Sequence, residues 1–75
     1  MNMRNTIIIG DSAMVMDTEQ NHKDHFGDYI GREGVVVSKV EYPNNSFVRI
    51  SWGFLDYIDV AVWRIKKVKS KDLEG

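Results

Sequence analysis

The side chains in this chain with most to offer a ligand are six bases, Lys39, Arg49, Arg64, Lys66, Lys67 and Lys69, with Tyr57 and Trp63 beside them. Ammonium and guanidinium groups neutralise phosphates, and aromatic faces stack on bases or pack on sugars. The set therefore points to a small nucleic-acid-binding module, tolerant of sequence, taking DNA or RNA through phosphate contacts. About five such contacts would give modest affinity that falls as salt rises. Residues 61–71 hold five bases and no acid, whereas residues 1–31 hold two bases against five acids. That asymmetry fits a binding edge, and equally a solvated terminal strand and tail. Glu33, Glu41, Asp56 and Asp59 lie on nearby strands or turns and oppose the basic field.

Other chemistry is thinly supplied. His22-Lys23-Asp24-His25 places two imidazoles and a carboxylate close in sequence, a start towards zinc. The remaining ligands are missing and the lysine repels a cation, so a solvated polar loop is the better reading and no metal is expected. There is no cysteine, which removes thiolate ligands and disulfides and fits a reducing compartment. Gly31-x-x-Gly34 is too short to cradle a pyrophosphate and leads into a strand. Ser12 neighbours Asp11, but nothing sets a histidine beside it. The chain reads as a non-enzyme without a cofactor.

A length of 75 residues makes one small domain, expected over 1–69 with a flexible tail at 70–75. An apolar share of 43% and a charged share of 28% are those of a folded globule, not a disordered chain. A net charge of −1 argues against gripping nucleic acid by bulk electrostatics. It favours an alternative, a protein-interaction module whose acidic loop and Tyr29, Phe54, Tyr57 and Trp63 dock on a larger bacterial protein such as a polymerase or nuclease. A third reading makes the chain a homo-oligomer, with Thr6–Ile9 adding a strand to a neighbour. That isoleucine run is far too short for a membrane span or a signal segment. A soluble cytoplasmic protein of bacterial or phage type is expected, in the host cytoplasm if phage-encoded, with no membrane partner.

These side chains need strands to carry them. Thr6–Ile9 and Asp11–Met16 suggest a first strand kinked at Gly10, with Ala13 and Val15 on one face. Residues 17–29 follow neither the helical nor the strand period and read as a long polar loop. Gly31 and Gly34 bracket a turn, and the β-branched run from Val35 to Tyr42 predicts a strand. Pro43-Asn44-Asn45 closes a hairpin onto Phe47–Trp52. Val36, Val40, Val48, Ile50 and Trp52 should face the core, Tyr42 should cap it, and Lys39 and Arg49 should project from the opposite face. Gly53-Phe54 turns the chain into a fourth strand, Leu55–Val60, with Ile58 and Val60 inward. Ala61–Arg64 suits a 3₁₀ turn and Ile65–Val68 a closing strand.

Five short strands are most economically closed into a barrel, which removes exposed edges. Gly10-Asp11, the segment Gly31-Arg32-Glu33-Gly34-Val35-Val36-Val37 and the strand Phe47–Trp52 resemble the SH3-like small-barrel superfamily, with a KOW-like motif over residues 31–52. The resemblance covers most of residues 10–68. It implies an all-β, five-stranded SH3-like barrel with a long first loop and a 3₁₀ turn before the last strand. It also implies a ligand surface of basic side chains beside aromatics, or a shallow groove lined by Tyr29, Tyr57 and Trp63.

Overall fold

In the computed structural model, which describes residues 6–71, a long hairpin organises everything else. Its strands are β2, Gly34–Tyr42, and β3, Asn45–Gly53, paired antiparallel from Val35 opposite Ser51 to Tyr42 opposite Asn45. Valine and isoleucine fill the facing positions because branched side chains pack well on a pleated surface. The connection is the two residues Pro43-Asn44, and neither takes a positive φ. Asn45 belongs to β3 instead of the turn, its Oδ1 accepting the Ser46 N–H at 2.9 Å.

One irregularity rearranges the faces of β2. Val36 pairs with Ile50, but Ser38, not Val37, pairs with Arg49, so Val37 is an inserted residue. A bulge of this kind reverses strand parity beyond it. Val36 stays in the core, whereas Val40 and Tyr42, expected inside, are carried to the outer face, Val40 being 48% exposed. Tyr42 meets Phe47 edge-on there, with ring centroids 6.1 Å apart. Lys39, expected outside, lies opposite the buried Val48, so it faces inward. Its side chain is 19% exposed and donates to the Ile7 carbonyl at 2.7 Å.

Three further strands complete the sheet. These are β1 (Ser12–Val15), β4 (Asp56–Ala61) and β5 (Ile65–Lys69), all antiparallel, in the order β4-β3-β2-β1-β5. This is one open sheet with β4 and β5 as its edges. A 3₁₀ turn at Val62–Arg64 swings the chain from one edge to the other, at the position the sequence indicated. Ala13, Val15, Val36, Val48, Ile50, Val60 and Ile65 form the core, joined by Ile7, with Trp52 and Ile58 packed against it. Each of these valines and isoleucines contributes about 1.5–3 kcal/mol by leaving water. The described part of the expected tail is Ser70 and Lys71, and the rest lies outside the described residues.

Two expectations fail locally. Thr6–Ile9 is not a strand. It turns back at Ile8–Asp11, Asp11 N–H donating to the Ile8 carbonyl at 3.1 Å, and it inserts only Ile7 into the core. Residues 17–29 are not a featureless loop either. They contain α1, Glu19–Lys23, and a 3₁₀ turn at Gly27–Tyr29. Thr18 caps α1 by accepting the Asn21 N–H at 3.1 Å. A five-residue helix is unstable alone, so contacts with the rest of the chain must hold it.

Candidate interaction surface

Those contacts centre on Arg64. Its guanidinium lies over the rings of Phe26 and Trp63, at 4.6 and 4.2 Å from their centroids. Nη2 donates to Asp24 at 2.7 Å and Nη1 to Asn21 Oδ1 at 2.8 Å. The buried Asn21 returns bonds from Nδ2 to the Met16 and Arg64 carbonyls. The Gln20 amide and the Arg64 guanidinium together hold the Asp24 carboxyl below its ordinary range. Arg64 thus binds the helix to the 3₁₀ turn, and its charge is spent inside the molecule.

The other bases proposed to meet phosphate divide in two. Lys39 gives its ammonium to the Ile7 carbonyl and lies 3.3 Å from Glu41. Lys67 donates to the Thr6 carbonyl at 2.9 Å and lies 3.6 Å from the buried Asp11. Arg49 makes a two-pronged contact with Asp59, at 2.8 and 3.1 Å, and covers the Tyr57 ring at 4.2 Å. That hydrogen bonding holds the Asp59 carboxyl below its usual value and raises Arg49. Lys66 and Lys69, by contrast, are exposed on edge strand β5. The structure therefore breaks the basic set with acids and does not gather it into one patch.

The four aromatics of the docking alternative are also dispersed. Tyr29 is half-buried and stacked on Trp52, centroids 5.4 Å apart, with Arg32 on Trp52 at 4.6 Å. Trp63 stands over Arg64 at the 3₁₀ turn, and Tyr57 lies under Arg49 on β4. Phe54 is different: it is 91% exposed at the β3–β4 turn, and the adjoining Leu55 is 79% exposed. Leu55 has φ 66°, the left-handed region that costs a residue with a Cβ roughly 1–2 kcal/mol.

Sequence reasoning passed over Leu55, Val40, Tyr42 and Phe47 as contact residues. A signal for the first was present, because a two-residue turn between strands ordinarily carries Gly, Asn or Asp and here holds Phe-Leu. For the others there was none, since only the bulge puts Val40 and Tyr42 beside Phe47 on the outer face. There they line a shallow hollow of about 350 Å³ with Ser38, Arg49 and Asp59. A second hollow, about 490 Å³, lies between Ile7, Met16, Trp63 and β5, with Lys66 and Lys67 on its wall.

Among the described residues, no group of three or more His, Cys, Asp or Glu side chains is gathered to hold a metal ion. His22 Nε2 instead meets Asp17 Oδ1 at 2.8 Å. No helix among them is long and apolar enough to cross a membrane. No family model, curated protein or solved structure matches this chain.

Proposed function

We propose that this chain is a non-catalytic protein-interaction module, docking through the outer face of β2, β3 and β4 and the turn at its end. The observation that carries this reading is the Phe54-Leu55 tip, two large apolar side chains in water with Leu55 in a left-handed conformation. An exposed leucine there adds nothing to the core and costs backbone energy, so its use is sought outside the fold. Val40, Tyr42 and Phe47 make a second exposed apolar group on the outer face, towards the other end of β3. The Arg49–Asp59 and Arg32–Asp56 pairs leave it with little net field. An SH3-like small barrel remains the finer fold reading. Supporting it are the strand order, the long connection from β1 to β2, the bulge in β2 and the 3₁₀ turn before β5.

The test compares pull-downs from lysate by the wild-type chain and by Phe54→Ser. A stoichiometric partner retained by the first and lost by the second supports docking. Identical recovery by both chains overturns it.

A nucleic-acid reading has its own observation in its favour. Lys66 and Lys69 are exposed on β5, Lys66 sharing a hollow with Trp63, in a segment without acids. Gel-shift titration at low salt tests it, with duplex and single-stranded probes. Binding that weakens steeply with salt, and is lost in a Lys66→Glu, Lys69→Glu double variant, supports the reading. Salt-indifferent binding, or none, overturns it.

A further inference from the structure

Edge strand β5 is irregular where it pairs with β1. Ala13 lies opposite Lys67 and Ser12 opposite Lys69, so Val68 is an inserted residue with no partner on β1. As in β2, the insertion reverses strand parity beyond it. Lys67 faces inward opposite the buried Ala13, its ammonium donating to the Thr6 carbonyl and lying 3.6 Å from Asp11. Lys66 and Lys69 both stand on the outer face, opposite Met14 and Ser12. In a regular strand, residues three apart would point to opposite faces.

Ser12 and Met14 are alternate residues of one strand, so the two lysines opposite them are set roughly 7 Å apart along β5. Successive phosphates of one nucleic-acid strand are spaced about as widely. Among the described residues neither lysine has an ion pair or a side-chain hydrogen bond, so both charges are open to an anion. Asp17, which shares a hollow with Lys66, lies 2.8 Å from His22 instead. Just before β5, Trp63 shares a second hollow with Lys66. It is 53% exposed, and the Arg64 guanidinium, 4.2 Å over its ring, steadies the indole. The geometry points to a single-stranded nucleic acid as the ligand of this edge, with successive phosphates on Lys66 and Lys69 and a base against Trp63. Bases within a duplex are already stacked on both faces, whereas a single strand offers a free face to the indole. This inference rests on the nucleic-acid reading and names its substrate.

Fluorescence anisotropy is the test, with labelled oligothymidylate and oligouridylate of about ten nucleotides and a blunt duplex of the same length. One or both single strands should bind about tenfold tighter than the duplex at low salt. Lys66→Gln and Lys69→Gln should each reduce the slope of log affinity against log salt by about 0.7, one phosphate contact apiece. Trp63→Leu should weaken single-strand binding about tenfold without changing that slope. Trp63→Phe keeps a ring for both Arg64 and a base, and should recover part of the loss. Thermal melting of each variant separates lost binding from lost fold.

A duplex bound as tightly as the single strands overturns the inference and leaves the nucleic-acid reading standing. So does a salt slope that neither lysine variant moves, which would put the phosphates on another surface. Single-strand affinity unmoved in a folded Trp63→Leu chain overturns it as well. Failure of every probe to bind at low salt sinks the inference and the nucleic-acid reading together.

Discussion

Asp11 shows most directly how one residue serves the whole fold. Its carboxylate is fully buried and accepts the Ile8 N–H at 2.9 Å on Oδ2 and the Lys71 N–H at 2.9 Å on Oδ1, with the Lys67 ammonium 3.6 Å away. Burial alone would raise its pKa, but the two backbone donors and Lys67 outweigh it and hold the carboxyl below the ordinary value. A group whose folded pKa is depressed contributes stability above its unfolded pKa and loses it as pH falls through the folded value. Asp11 therefore stabilises the fold fully above about pH 5, and its contribution fades in the acid range below. Asp11→Asn should cost about 2 kcal/mol at neutral pH, because two charge-assisted bonds become ordinary ones or are lost. Urea unfolding at several pH values checks this. The variant should be less stable at pH 7, and the gap to wild type should narrow as pH falls below the ordinary carboxylate range, where the unfolded Asp11 takes up its proton before the folded one does.

At the scale of elements, the crossing of β2 and β3 near the long connection depends on a missing side chain. A Cβ on Gly34 would lie 2.6 Å from Ile50 Cγ2, 2.8 Å from the Ser51 carbonyl oxygen and 2.8 Å from Trp52 Nε1. Backbone and a packed indole cannot all give way, so Gly34→Ala should destabilise by about 2–3 kcal/mol, read from chemical denaturation. The pair Gly31 and Gly34 in the sequence marked this region as special for conformational reasons. Gly31, at φ 82°, fits that reason, while Gly34 is needed for close approach.

The same scale shows what sequence could and could not supply. Strands β2 to β5, the tight hairpin and the 3₁₀ turn follow from alternation, branched residues and turn chemistry, all local properties. Helix α1 escaped notice because five residues are too few to display a period, and its anchor is Asn21 bonded to a carbonyl 43 residues away. The bulge at Val37 has no local mark, yet it decides the facing of Lys39, Val40 and Tyr42. The basic residues were visible as residues. Their acids, Asp59 for Arg49 and Asp24 for Arg64, are tertiary partners that only the fold reveals.

For the whole molecule, an open sheet poses the problem of its own edges. An uncovered edge strand presents unpaired backbone groups to any other strand, and lysine is a common guard. Edge strand β5, Ile65–Lys69, carries Lys66, Lys67 and Lys69 within five residues, which places lysines where such a guard would stand. Replacing Lys66 and Lys69 together with threonine should leave the melting temperature within a few degrees of wild type. The same change should produce concentration-dependent aggregates in dynamic light scattering. An unchanged particle size up to high concentration would mean that β5 needs no guard.

The Asp11 carboxylate also fixes where the chain comes and goes. Because it holds the amides of Ile8 and Lys71 at once, the path into the sheet and the path out of it meet at one corner. A domain whose two ends leave side by side can be spliced into a surface loop of a host protein without stretching that loop. It can equally be joined end to end and reopened at Pro43-Asn44, where only a two-residue connection would be cut. Topologically, one carboxylate makes the described path from Ile8 to Lys71 a near-closed loop.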